Sequence, residues 1–131
     1  MILLDTCAII WDALDKTKLT AKAKKAINKA DKAHALYISD ITIWELAMLV
    51  KRGRIEIDDT STNFTNLYLQ SRNIEILKIT PEIAELSVNF GQEINNDPAD
   101  RLISATSIIE DLSIVTSDKN LRKSDLLNTT W

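Results

Sequence analysis

The chain has 131 residues, 45% of them apolar and 27% charged, so residues 1–131 can form one domain with a buried core. Two glycines and two prolines exclude collagen-like or proline-rich structure and are few for a turn-rich β-sandwich. The only cysteine, Cys7, and the only histidine, His34, exclude a disulfide framework, a cysteine zinc site and a ribonuclease with two catalytic histidines. The net charge of −3 argues weakly against a nucleic-acid partner.

Short apolar runs alternate with longer amphipathic segments, which is typical of an α/β protein with a parallel sheet. In chain order we predict strand 2–4, helix 21–32, strand 36–39, helix 41–52, helix 64–71, strand 74–79, helix 81–90, helix 98–110, strand 113–116 and a polar turn over 117–120. Thr20, Thr80 and Asp97 are suitable N-cap residues. Gly53 can end the helix over 41–52.

The charge is distributed unevenly along the chain. Residues 16–32 contain seven lysines and one acid, a net charge of +6, whereas the remaining residues carry −9. This lysine-rich segment could hold an RNA backbone, although such a face is more often simply solvated. No apolar run is long enough to span a membrane, and the first residues lack a basic leader, so we expect a cytoplasmic protein.

Four acidic residues stand out because each follows or interrupts an apolar segment. Asp5 ends the first strand and Asp118 follows the last. Glu45 lies in an apolar helix that we expect to be buried on most sides, and Asp100 lies in the first turn of a later helix. Ligand sites in open parallel sheets lie at the carboxyl ends of the strands, so we expect these residues to meet there. Mg²⁺ or Mn²⁺, which prefer oxygen ligands, would relieve their mutual repulsion.

Each acidic residue also has a purely structural explanation. Asp5 and Asp118 could be helix caps or turn residues. Glu45 could lie with Thr42 on a narrow exposed stripe of its helix. For Asp97, the N-cap position alone accounts for the residue. These alternatives remain open at the level of sequence.

The four acidic segments resemble, in order, the motifs of a known family. They are ILLDT at 2–6, IWEL at 43–46, DPADRLI at 97–103 and VTSD at 115–118. This set resembles the PIN-domain ribonucleases and, within them, the VapC-type toxins of bacterial toxin–antitoxin pairs. The resemblance implies a three-layer α/β/α fold around a short parallel sheet. It also implies Mg²⁺- or Mn²⁺-dependent cleavage of RNA that leaves a 5′-phosphate and a 3′-hydroxyl.

The resemblance assigns roles to individual residues. Those matching the family's catalytic, metal-binding acids are Asp5, Glu45, Asp100 and Asp118. Those matching its supporting positions are Thr6, Thr116 and Asp97. Some relatives carry His or Arg shortly before the last of these, where this chain has two asparagines at 95–96. The family also implies a homodimer and a co-encoded antitoxin.

Further residues allow more than one interpretation. Arg101 could orient a carboxylate, contact a phosphate or form a structural salt bridge. Trp11 and Trp44 could stack on bases, but packing in the core or at a dimer interface is the favoured prediction. An aspartyl-phosphate phosphohydrolase would need a second Asp two residues after Asp5, where the chain has Cys7, which we expect to be a buried structural thiol. A nuclease-inactive PIN-like module that binds RNA or protein is the remaining alternative.

Overall fold

The computed structural model describes all residues from Met1 to Trp131 and contains one five-stranded, fully parallel sheet. The strands are β1 Ile2–Leu4, β2 Leu36–Ser39, β3 Ile74–Leu77, β4 Ser113–Val115 and β5 Thr129–Thr130. Their spatial order is β3-β2-β1-β4-β5, which places β1 at the centre. The predicted α/β class with a short parallel sheet is therefore confirmed.

Seven helices connect and cover these strands. They are α1 Thr6–Leu14, α2 Ala21–Lys32, α3 Asp40–Lys51, α4 Ser61–Ser71, α5 Pro81–Asn89, α6 Pro98–Ile109 and α7 Lys119–Lys123, with a 3₁₀ turn at Lys16–Lys18. The predicted N-caps are present, because Thr20 Oγ1 accepts a hydrogen bond from Ala23 N at 3.0 Å and Thr80 Oγ1 from Ile83 N at 3.3 Å. Gly53, at φ 68°, follows the end of α3 as predicted.

The side chains of β1 alternate between two cores on opposite faces of the sheet. Ile2 and Leu4 pack with Ile27 of α2 in one cluster, whereas Leu3 packs with Ile103 of α6 in the other. Leu3, Leu4, Ile27 and Ile103 are completely buried. Helices on both faces of one sheet give the three-layer α/β/α arrangement.

Four elements differ from the prediction. Residues 6–14 form α1, which the sequence patterns did not identify, and the segment predicted as a polar turn over 117–120 includes the start of α7. The edge strand β5 was also missed, because a two-residue strand carries no periodic signal. Strand β3 ends at Leu77, two residues before its predicted end.

The two tryptophans singled out by sequence differ in position, and Trp11 packs against the core cluster around β1 as predicted. Trp11 is half-buried, and its ring lies against that of Trp131 with 5.5 Å between the centroids. Trp44 is 58% exposed, so packing in the core is wrong for this residue, and packing at a dimer interface stays a prediction. Helix α3 as a whole fully buries only Thr42 and Leu46 and is not enclosed on most sides. None of the seven helices combines the length and apolar character needed to cross a bilayer.

A buried ion-pair network joins α1 to α4 and α2. Arg72, which follows α4, donates from Nε and Nη2 to the two carboxylate oxygens of Asp12 at 2.6 and 2.8 Å. Its Nη1 atom donates to Asp31 at 3.0 Å, and the Tyr68 hydroxyl donates to Asp12 at 2.7 Å. Asp12 is only 4% exposed, so this network fixes the C-terminal half of the helix that follows β1.

Candidate metal centre

The four predicted acids lie at one edge of the sheet and line a single cavity of about 270 Å³. Asp5 follows β1 and caps α1, Glu45 belongs to α3, Asp100 to the first turn of α6, and Asp118 follows β4 and caps α7. The cavity is also lined by Thr6, Cys7, Ile10, Leu49 and Ser117. The expected convergence at the carboxyl ends of the strands is therefore present in the structure.

Asp5 lines the cavity and is held by hydrogen bonds from Thr6 and Thr116. It is 7% exposed, and its Oδ1 atom accepts a hydrogen bond from Thr6 N at 2.8 Å. Its Oδ2 atom accepts from the hydroxyl of Thr116 at 2.6 Å, and that hydroxyl in turn accepts from Asp118 N at 3.0 Å. Burial raises the pKa of Asp5 despite these hydrogen bonds, and the charge of Asp118 adds to the effect. Thr116 therefore links two of the four acids.

Glu45 accepts a short hydrogen bond from the Thr6 hydroxyl, which connects α3 to the start of α1. Burial raises the pKa of Glu45, and the charges of Asp5 and Asp97 raise it further. Thr42 is completely buried, so the alternative of an exposed stripe shared by Thr42 and Glu45 is wrong. The Glu45 carboxylate instead belongs to the cavity.

Asp100 is half-buried and accepts a hydrogen bond from Asn95 Nδ2 at 2.9 Å. Desolvation raises the pKa of Asp100 to about 7, with further contributions from the charges of Asp5, Asp97 and Asp118. Asp97 caps α6 by accepting from Asp100 N at 3.0 Å, as expected, and it does not line the cavity. Asn95 is a contact that sequence reasoning did not assign.

Asp118 has two functions in the structure. Its Oδ1 atom caps α7 by accepting from Asn120 N at 2.7 Å and from Leu121 N at 3.2 Å. The same side chain lines the cavity, so the structural and the functional interpretations of this residue are compatible.

Arg101 contacts none of the four acids, so the expected salt bridge or carboxylate contact is wrong. Its guanidinium donates to the main-chain carbonyls of Asn95 at 2.8 Å and Phe90 at 2.9 Å, and more weakly to those of Ser87, Gly91 and Ile94. The planar guanidinium thereby holds the segment between α5 and α6 in place by hydrogen bonds to its main chain. Because this segment carries Asn95, Arg101 acts on Asp100 only indirectly.

Cys7 is not the fully buried structural thiol expected from sequence. It is half-buried and lines the cavity, with Sγ 3.6 Å from Asp5 Oδ2 and 3.6 Å from Ser117 Oγ. Burial and the charge of Asp5 raise the pKa of Cys7 to about 11, so the thiol stays protonated near neutral pH.

The donor set suits a hard divalent cation. No Lys or Arg forms an ion pair with any of the four carboxylates, since all three salt bridges of the chain involve Asp12 or Asp31. One oxygen each of Glu45, Asp100 and Asp118 accepts no hydrogen bond from the protein. As the side chains stand, however, no three Asp, Glu, His or Cys residues are arranged to hold one ion. A set of oxygen donors without His or a thiolate fits Mg²⁺ or Mn²⁺, and Thr6, Asn95 and Thr116 donate hydrogen bonds to Glu45, Asp100 and Asp5.

Comparison with known families identifies the fold. Residues 2–126 match the model of the PIN domain. The chain belongs to the PIN-domain family. This PIN domain is 32% identical over 121 residues to Ribonuclease VapC22 of Mycobacterium tuberculosis, covering 92% of this chain and 89% of the relative. The resemblance inferred from the acidic motifs is thereby confirmed.

Solved structures share the fold over almost the full chain. VapBC2 from Rickettsia felis, bound to a DNA fragment from its promoter, superposes with a TM-score of 0.72 at 18% identity, covering 98% of this chain and 97% of that one. A toxin–antitoxin complex from Klebsiella pneumoniae gives 0.66 at 25% identity, covering 97% and 95%. DNA-bound VapBC from Salmonella typhimurium gives 0.72 at 17% identity, covering 98% and 97%.

The raised pKa of Asp100 predicts a pH-dependent effect of Asp100→Asn on the metal-free PIN domain. The folded-state pKa of about 7 exceeds the ordinary value of 3.8, so stability is lost as pH rises through this window. Solvent screening of the half-buried carboxyl limits the gain from Asp100→Asn to about 1–2 kcal/mol above pH 7, and at pH 4 the gain is absent. Urea unfolding in EDTA from pH 4 to 8 measures this, with Asp111→Asn as the control. A pH-independent difference would contradict the prediction.

The hydrogen bonds of Arg101 predict that Arg101→Lys destabilises the protein although the charge is kept. An ammonium group cannot reach several carbonyls at once, so we expect a loss of about 2–3 kcal/mol in urea unfolding. Loss of the Asn95 contact should also lower metal affinity at Asp100 about 10- to 100-fold. Arg54→Lys, at an exposed position, is the matched control. Equal stability of the two variants would show that the guanidinium does not organise this segment.

Proposed function

We propose that this PIN domain is a Mg²⁺- or Mn²⁺-dependent endoribonuclease and the toxin of a toxin–antitoxin pair. The observation that carries the proposal is the single cavity lined by Asp5, Glu45, Asp100 and Asp118, with no cation of the protein to neutralise them. Four carboxylates without a positively charged partner suit a divalent cation. A divalent cation in turn suits a phosphodiester substrate, whose negative charge it offsets. The similarity to a protein named as a ribonuclease supports RNA as that substrate.

In the proposed mechanism the four carboxylates would hold the cation, which would lower the pKa of water and offset the negative charge of the phosphate. Thr116 orients Asp5, Thr6 orients Glu45, and Asn95 orients Asp100. No histidine or lysine lines the cavity, so the carboxylates are the only basic side chains there. Cleavage would leave a 5′-phosphate and a 3′-hydroxyl, as the family resemblance implies.

The two competing functions fit the cavity less well. A phosphohydrolase needs an acid–base group two residues after Asp5, and Cys7, with its pKa near 11, is too weak an acid for that role. A nuclease-inactive binding module would have no need for four acids with unfavourable burial in one cavity. Cleavage is therefore the better proposal.

We also propose the partners implied by the family, an antitoxin and a second copy of this chain. The exposed apolar side chains of Trp44 on α3 and Leu67 on α4, at 58% and 61% exposure, support a protein partner. One structural neighbour is described as a toxin–antitoxin complex, which supports the first of the two. Light scattering of the isolated chain and of the chain with its antitoxin tests both.

The experiment for the proposed activity is cleavage of a labelled single-stranded RNA by the purified wild-type protein. We expect cleavage with Mn²⁺ or Mg²⁺, none with EDTA, and recovery when excess Mn²⁺ is added back. A 5′-phosphate on the downstream product distinguishes this mechanism from a contaminating ribonuclease with catalytic histidines. Cleavage that persists in EDTA would overturn metal dependence, and the absence of cleavage under all conditions would overturn the activity.

A further inference from the structure

A second concave surface, which we call the α7 cleft, is strongly cationic. It has a volume of about 400 Å³ and is built from α2, α7 and the edge strand β5. The lining residues are Lys22, Lys119, Arg122, Lys123, Thr129 and Trp131. Four of the six carry a positive charge and none carries a negative one, although the chain as a whole has a net charge of −3.

The positive charges of the α7 cleft are not used by the fold. The only salt bridges in the chain are those of Lys16 and Arg72 with Asp12 and Asp31. Lys22, Lys119, Arg122 and Lys123 are all exposed. Such a concentration of unpaired charge costs stability through mutual repulsion and attracts a polyanion. The cations of the α7 cleft form no structural ion pair and are therefore available to bind an anionic ligand.

The α7 cleft and the carboxylate cavity are lined by neighbouring residues at the start of α7. Asp118 lines that cavity and caps α7, and Lys119 is the next residue. From Lys119 to Lys123 the helix advances about 6 Å along its axis. A nucleic-acid strand with one phosphate in the carboxylate cavity would therefore reach the cations of α7 with neighbouring phosphates.

Trp131 adds an aromatic surface to these cations. It is half-buried with one side against Trp11, and it lines the cleft together with Thr129. A cationic groove with an adjacent aromatic ring is the combination that holds single-stranded nucleic acid. Four charges from two helices also exceed what one isolated phosphate would need.

We propose that the α7 cleft binds the phosphate backbone of single-stranded RNA next to the bond that is cleaved. This inference rests on the proposed ribonuclease activity, and it assigns to Lys22, Arg122 and Lys123 a role in substrate binding. The sequence had left open whether the lysine-rich segment 16–32 contacts RNA. In the structure Lys22 joins this segment to α7.

The test measures binding of a 20-nucleotide single-stranded RNA by fluorescence anisotropy at several salt concentrations. The Asp5→Asn protein is used in EDTA so that the RNA stays intact. Adding Arg122→Ala and Lys123→Ala should weaken binding about tenfold at low salt. The slope of log Kd against log salt should fall by about 1.4, since each phosphate contact contributes about 0.7.

The matched control carries Lys32→Ala and Lys78→Ala on the same background, with the same change in charge. Lys32 lies ten residues from Lys22, about 15 Å along α2, and Lys78 follows β3 at the opposite edge of the sheet. The control should bind RNA within twofold of the parent. Equal losses of affinity in both double variants would overturn the proposal. A duplex DNA of the same length serves as a second probe, and a cleft variant that loses affinity only for this duplex would also overturn it.

A cleavage assay separates this inference from the proposed function. With Asp5 restored, the Arg122→Ala, Lys123→Ala protein should lose about tenfold in kcat/KM on the same RNA, and the Lys32→Ala, Lys78→Ala protein should stay within twofold of wild type. If the wild-type protein does not cleave RNA, the proposed function fails, and the binding measurement still decides the α7 cleft. If wild type cleaves and the two double variants behave alike, only the inference about the cleft fails.

Discussion

Replacing Asp5 with Asn should lower the rate of RNA cleavage about a thousandfold while the protein stays folded. The amide keeps an oxygen to accept from Thr6 N, so the cap of α1 survives. It lacks the negative charge that holds a cation, and loss of roughly 4 kcal/mol of charge stabilisation corresponds to three decades in rate. The measurement is the initial rate on a labelled RNA with Mn²⁺ in excess.

The control for Asp5→Asn is the same exchange at Asp111. This residue is exposed after α6 at φ 54°, a left-handed conformation that Asn also adopts readily. We expect Asp111→Asn to retain the wild-type rate within twofold. If Asp5→Asn keeps more than a tenth of the wild-type rate at matched melting temperature, Asp5 does not have the proposed role as a metal ligand.

The second large effect is expected at the ion pair between Asp12 and Arg72. Arg72→Met leaves the carboxylate of Asp12 buried without its main partner, which should destabilise the protein by about 3–5 kcal/mol in urea unfolding. Arg52→Met, at an exposed arginine, should cost less than about 1 kcal/mol. Because α1 begins at the cavity and contains Asp12, the same variant should also bind metal more weakly.

A double variant shows whether the loss comes from the ion pair or only from the size of the side chain. In Asp12→Leu with Arg72→Met, both charges are gone, so the cost should be smaller than the sum of the single costs by about 2 kcal/mol or more. The Tyr68 hydroxyl then lacks its acceptor, which keeps the double variant below wild type. Additive costs would show that Asp12 and Arg72 are not coupled.

The four acids could be predicted from sequence because each lies next to an apolar segment at the same edge of the sheet. Asp5 and Asp118 follow buried strands, and parallel strands end at one edge of the sheet, so proximity followed from topology alone. The N-caps Thr20 and Asp97 were equally visible, since capping depends on local residue type. Each of these features can be recognised from the few residues on either side of it.

The features that were missed depend on contacts distant in sequence or on the main chain. Arg72 meets Asp12 across 60 residues, and neither residue carries a local signal for the other. Arg101 binds mainly carbonyl oxygens, which every residue possesses, so no residue type in the sequence marks its partners. Helix α1 was missed because residues 6–14 are apolar around much of the helix and lack a clear amphipathic period.

Neutral hydrogen-bond donors hold three of the four carboxylates in the cavity. Buried carboxylates that lack a cation are stabilised by neutral donors, and here these are Thr6, Thr116 and Asn95. Burial raises the pKa of Asp5, Glu45 and Asp100, and the charges of neighbouring acids add to this effect.

Calorimetric titration of the metal-free protein with Mn²⁺ at pH 7.5 tests the central claim most directly. The account predicts saturable binding to wild type and to Asp111→Asn, and no saturable binding to a variant with both Asp5→Asn and Asp100→Asn. Saturable binding of equal affinity in that double variant, or none in wild type, would contradict a metal centre formed by these carboxylates.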